Sequence, residues 1–440
     1  MRTCVLMLLL VLALGAAACG GKGGGNNQDA APTDAAPGDV APGDAARDAD
    51  GDGPQATDGG GDGGGNPCPR TPAAAERVRK VVVSHPYDKA DGGLPVHVPA
   101  WEVLDLSTTG TLTQPGVTFN MGVAMYGEVV FTPDGEVGIA VQEDGTLGVF
   151  RFDSNGTPHV VHTGFGDSDT SFYASSVVMD PDGTGAWVLD GEWRNIGGGI
   201  YRVAIGCDGT LTDQGRVAEA KLPAGLVLLP DGRAVVSAYD LLTSTAGTGL
   251  NDVHLLGSLK PPALSGSVSA FPTSDGGADE QIVSAAAATS DGRYVLYGDN
   301  SEFRDYGGTR IAAVEAQAGG LRAAQVFDFN DPLAIVASPF GHPLIGVSGY
   351  GDAIFVIDYN SQSATPFSVR GELPHIGTGP QLPGAAVMIR RGSLEGFVLV
   401  AELSGVRQVA FHSDYTVTDL GAFDFGSGYT AMVGAIGVQP

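Results

Sequence analysis

Basic side chains are scarce in this chain. Lys and Arg number 23 against 50 Asp and Glu, so the 440 residues carry a formal net charge of -27. A field of that sign repels nucleic acid and anionic lipid surfaces, which excludes nucleic-acid readers. Charged residues of both signs reach only 17%, where an average soluble protein has about 25%. Catalytic signatures are missing too: no H-E-x-x-H, no G-x-S-x-G, no C-x-x-C, no P-loop and no dinucleotide glycine fingerprint after a strand. The eight His are scattered, and His159 and His162, three apart in a strand, point to opposite faces. Neither a metal site nor a cofactor is expected.

What the chain has in excess is glycine, 68 residues with 27 Pro beside them; glycine is roughly double its average usage. The 43% apolar content excludes wholesale disorder. The length allows one large domain or two ordinary ones.

Residues 1–18 read as an export signal. Arg2 supplies the positive start, and Val5–Ala18 is an uncharged run too short for a span of about twenty residues. Ala16-Ala17-Ala18 is a small-residue cleavage site with Cys19 directly after it. This resembles the bacterial lipobox, with Ala16 where that motif usually has Leu. The resemblance implies a lipid on Cys19 and an address at the cell envelope, in the outer membrane facing the periplasm or the cell surface. Residues 19–67 carry nine Asp, among them Asp29, Asp34, Asp39 and Asp44 at five-residue spacing. So polar a segment cannot offset its ordering entropy. As a flexible coil it reaches about 40 Å. Asp48, Asp50 and Asp52 look like half a calcium loop, but Gly59 stands where the closing acid belongs, so compositional drift is the better reading. Cys4 leaves with the signal and Cys19 takes the lipid, which leaves Cys68 and Cys207. In an oxidising envelope they read as a disulfide; the other reading is two free thiols.

The third segment, 68–440, repeats one unit from residue 78 onward. An apolar run ends in a glycine turn, a second apolar run follows, and then a polar loop. The turn glycines are Gly135, Gly183, Gly232, Gly292, Gly341 and Gly392, at gaps of 48, 49, 60, 49 and 51 residues. Pro261–Gly277, rich in Pro, Gly and Ser, accounts for the long gap. A second turn pattern, G-T-L-T, recurs at Gly110 and Gly209, two periods apart. Periods near 50 with four short strands mean propeller blades. Six turns give six blades, and the termini supply a seventh. Tyr429–Val438 repeats the innermost-strand pattern, and Val78–Ser84, Trp101–Ser107 and Gly116–Asn120 fit the other three strands. The expected fold is all-β: a seven-bladed β-propeller, its ring closed by a C-terminal inner strand joining three N-terminal ones.

The segments PDGRAVVSAYD, SDGRYVLYGDN and SNGTPHVV resemble the YVTN and lactonase-like group of seven-bladed propellers. That resemblance implies the fold across 78–440 and leaves activity open, since propellers host enzymes and scaffolds alike. Three Trp are too few for the blade-docking motif of the quinone-dependent propeller dehydrogenases.

Loops joining second to third strands rim the channel mouth of such a fold. Most begin with an acid: Glu143, Asp190, Asp240, Asp299, Asp352 and Glu402. Such a ring would concentrate cations; in a chain this acidic it is also what composition alone delivers. Two loops go further. Asp190, Glu192, Trp193 and Arg194 in the third blade are matched by Asp299, Glu302, Phe303 and Arg304 in the fifth. Acid, guanidinium and aromatic face together suit a binding rim, or an intraloop ion pair with the ring wedged against the next blade. The expected function is a monomeric, envelope-tethered binding or scaffold propeller whose rim takes an envelope protein or a small ligand. The alternative is a lactonase-like hydrolase with Arg194, Arg304, Glu192 and Glu302 at its centre.

Overall fold

Pro-Asp-Gly between two apolar runs forces a hairpin, because Pro fixes its own φ and Gly accepts the positive φ that the turn requires. All six turn glycines take it, with φ from 66° to 105°. The computed structural model describes residues 68–88, 95–162, 172–191, 198–220, 223–238, 252–259, 262–271, 283–299 and 310–440. These lie in one compact unit, Gly63–Pro440.

The strands assemble into seven antiparallel four-stranded sheets. Six are built from consecutive strands, and the first is the composite expected from the spacing. Ile436–Val438 pairs with Arg79–Asp88, which pairs with Val96–Leu106 and then Leu112–Asn120. The inner strand is shorter than its sequence pattern suggested: Tyr429–Ala431 forms a 3-10 turn instead of a strand. Much of Pro261–Gly277, the stretch to which the long gap was assigned, is regular structure: Pro262–Ser269 is the outermost strand of the fourth blade. Pro262 opens that strand at an edge, where a missing N–H costs no ladder bond.

Burial follows strand position. The second strands Gly185–Asp190, Tyr294–Asp299 and Phe397–Glu402 are buried at every residue, because neighbouring blades cover both of their faces. The outermost strand Val417–Asp424 alternates instead, with one face wet. The core is accordingly divided. Seven apolar clusters each fill one blade-to-blade interface, the seventh joining the last blade (Leu399, Val406) to the first (Val81, Leu104). Seven interfaces for seven blades is a closed ring, with no sheet face left open.

Antiparallel order puts the first-to-second and third-to-fourth turns on one face and the remaining connections on the other. Residues from Cys68 onward strap the turn face. Cys68 is disulfide-bonded to Cys207, in the third-to-fourth turn of the third blade, with 5.0 Å between Cα atoms. Arg70 then pairs with Asp134 at 3.0 Å on the second blade's turn, and Glu76 accepts Ser393 N–H and Oγ–H at 2.6 Å on the seventh.

Candidate functional site

The rim face is built where second strands end, and those ends carry carboxylates. Asp190 closes Gly185–Asp190 and is buried; its Oδ1 accepts the backbone N–H of Tyr173 at 3.0 Å, which pins the connection arriving from the second blade. Asp299 closes Tyr294–Asp299, also buried, with Oδ2 3.7 Å from Arg310 Nε, whose guanidinium lies over Phe271. Asp352 is exposed and accepts Leu382 N–H at 2.7 Å. Glu143, half-exposed, sits 2.8 Å from His97 Nδ1. Asp190 and Asp352 thus hold neighbouring connections in place, a structural use for the acids on this face. Glu192, Trp193, Arg194, Asp240, Glu302, Phe303 and Arg304 lie outside the described residues. Asp190 and Asp299 belong to blades that are not adjacent.

The most developed polar arrangement is in the seventh blade. Glu402, Arg407 and Asp419 are all buried. Arg407 donates through Nε to Glu402, through Nη1 to Asp419 at 2.9 Å and through Nη2 to Thr378 O at 2.7 Å. Asp419 also accepts Ile376 N–H at 2.6 Å. One guanidinium therefore serves two carboxylates and ties down the connection 373–385. Burial pushes the Glu402 carboxyl up to about 7 against the pull of Arg407.

Two further groups were not legible in the sequence. In the first blade Glu102 accepts Gln114 Nε2–H at 2.6 Å and lies 3.3 Å from His85 Nε2, with His85 edge-on to Phe425. An imidazole beside a carboxylate can exchange a proton, although this one is largely packed between blades. Glu128 bridges to Ile436 of the innermost strand, and its side chain is solvent-accessible although protein surrounds it. That surrounding protein raises its carboxyl above the usual range, and Arg390 opposes the shift. Among the described residues no three His, Cys, Asp or Glu gather as a metal site.

The class is a seven-bladed β-propeller, and its structural likenesses are of the same kind. A candidate 6-phosphogluconolactonase from Bacteroides fragilis matches with a TM-score of 0.57 at 14% identity, over 84% of this chain and 99% of its own. A protein from Lactobacillus plantarum matches at 0.55 and 13%, over 83% and 100%. A second candidate 6-phosphogluconolactonase, from Bacteroides uniformis, matches at 0.51 and 14%, over 82% and 99%. At these identities the likeness is one of fold. No protein-family model and no curated protein matches the chain.

Proposed function

We propose that the protein is a lipid-anchored envelope component whose propeller binds a partner or small ligand through the rim face. The observation that carries this is the Cys68–Cys207 bridge. Cys68 follows the Asp-rich tether directly in sequence, and the bridge fixes it to the turn face. A chain tethered there keeps its opposite face free. The recognition surface is then the pair of loops carrying Trp193 with Arg194 and Phe303 with Arg304. An aromatic in a polar, glycine-rich loop gains about 1.5–3 kcal/mol when a partner covers it, and an arginine selects a carboxylate by two-pronged bonding. Trp193→Ala with Phe303→Ala should abolish capture of envelope partners and leave the melting temperature in place. Capture retained together with a lowered melting point would assign the rings to packing and end this reading. Cys19→Ser should move the protein from the membrane to the soluble fraction.

The second reading, a lactonase-like hydrolase, is favoured by the two candidate 6-phosphogluconolactonases among the structural likenesses. The net charge of -27 favours a neutral lactone over a phosphorylated one. Hydrolysis of gluconolactone above the spontaneous rate, lost in Arg194→Ala with Arg304→Ala, would establish it.

A further inference from the structure

Nine described arginines, from Arg70 to Arg407, stand within 3.7 Å of a carboxylate, as a chain this acidic readily allows. Arg77, Arg79, Arg390 and Arg391 make no such pair among the described residues, and all four belong to the turn face. Arg79 is fully buried. Its Nη2 donates to Ala75 O at 2.6 Å and Arg391 O at 3.0 Å, while Nε and Nη1 have no partner. Arg77 Nη2 reaches Pro440 O at 3.3 Å, and Arg391 Nη2 reaches Pro133 O at 3.2 Å; the Nε of each is buried and unpartnered. Arg77 and Arg391 are only partly buried, so solvent reaches the cluster.

The carboxylates in the neighbourhood are engaged elsewhere. Glu76 is bonded to Ser393 and Asp134 to Arg70. Glu128 lies near enough to Arg390 to feel its charge, yet makes no described ion pair with it. Burial and the adjacent charges of Arg79 and Arg391 depress the Arg77 guanidinium, with Asp134 acting the other way. Glu76 pulls on Arg79 and Asp134 on Arg77, but no Asp or Glu side chain makes a described ion pair with any of the three guanidiniums, which lie close enough to repel one another.

We propose that Arg77, Arg79 and Arg391 form an oxyanion site on the turn face that takes a phosphate group. Arg77 and Arg391 present donors to the ligand, and Arg79 supplies a buried positive charge behind them. A phosphate carries enough charge to offset more than one guanidinium, and its tetrahedral oxygens accept several planar N–H forks at once. A single carboxylate offsets only one. The site is a local reversal within a chain whose overall field excludes anions, so its occupant is held by short-range bonds, with no help from steering. A soluble phosphate ester and a phospholipid headgroup share this chemistry. The proposal stands whether or not Cys19 is lipidated.

The test uses the full chain bearing Cys19→Ser, so that no acyl group contributes. Inorganic phosphate titrated against chloride at matched ionic strength should raise the melting temperature saturably, by about 1–3 °C at tenfold excess over the dissociation constant. Arg77→Gln with Arg391→Gln relieves mutual repulsion, so it should fold and lose that rise. Arg77→Gln alone, at a partly buried position, should weaken binding at least about threefold by removing one donor fork. It provides the readout should the double variant prove unstable. Retention on phosphatidylglycerol vesicles but not phosphatidylcholine vesicles, lost in the variants, would identify the source as a headgroup. A phosphate response without vesicle retention would identify a soluble ester. No response to either probe, or an equal response in parent and variants, overturns the site.

Discussion

The two faces of the disc are built on different principles. On the turn face each blade repeats a short local device. Asp153, Asp208 and Asp414 cap third-to-fourth turns by accepting backbone N–H groups within four residues, and the six glycines close the first-to-second turns. On the rim face the fixed points are buried acids bonded to connections far away in sequence, as Asp190 is to Tyr173 and Asp419 to Ile376. Local devices tolerate change blade by blade. Buried ion networks do not, since losing one member strands the others. Perturbing the rim should therefore cost more per residue than perturbing the turns.

The largest effect is expected at Arg407. Its guanidinium is the cation between Glu402 and Asp419, all three buried. Arg407→Met leaves two carboxylates without their counter-charge and should destabilise the protein by about 3–5 kcal/mol, read by denaturant unfolding. A loss under 1 kcal/mol would show that water reaches the network and that the rim is no more rigid than the turns.

The same network predicts a pH dependence. The folded Glu402 carboxyl titrates near 7, above its usual value of 4.5. The native state therefore holds its proton where the unfolded chain has released it, so stability falls as pH rises from about 4.5 to about 7. The loss across that window is on the order of 3 kcal/mol. Glu402→Gln cannot titrate and should flatten this part of the profile. An unchanged slope would place the titration elsewhere.

What was legible in the sequence divides along the same line. Gly135 and its five counterparts were readable because a turn is set by the three or four residues that form it. The closing strand was readable because Tyr429–Val438 repeats the innermost-strand pattern. The Cys68–Cys207 bridge was one of the two readings that a cysteine count left open. Arg407 was not readable: its partners lie 5 and 12 residues away, across strands, in a spacing that any blade contains. The cluster of Arg77, Arg79 and Arg391 was still further out of reach, with Arg79 and Arg391 separated by 312 positions and joined only by ring closure. Asp190, Asp299 and Glu402 do close second strands, but what each of them bonds is a tertiary fact.

On the turn face the strongest single element is the disulfide, because it closes 139 residues. Cys68→Ala with Cys207→Ala should cost about 2–4 kcal/mol. Susceptibility to proteolysis should appear first in the strap residues after Cys68. Free thiols in oxidised, envelope-purified protein, found by mass spectrometry, would contradict the bridge.

The smallest effects should separate two glycines of one design. Gly183 and Gly232 occupy the same turn in adjacent blades, with φ of 69° and 83°. An alanine at either meets the cost of a left-handed backbone, about 1–2 kcal/mol. They differ in their neighbours. A Cβ at Gly183 would lie 2.1 Å from Pro133 Cδ, on a ring that cannot rotate away, whereas nothing stands within 4 Å at Gly232. Gly183→Ala must therefore move the second blade's turn, along with the Arg70–Asp134 pair beside it, and should cost about 1 kcal/mol more. Gly232→Ala should show the backbone cost alone. Equal losses at both positions would mean that the blades yield to one another at this face. A loss at Gly232 matching that at Arg407 would erase the distinction between turn and rim.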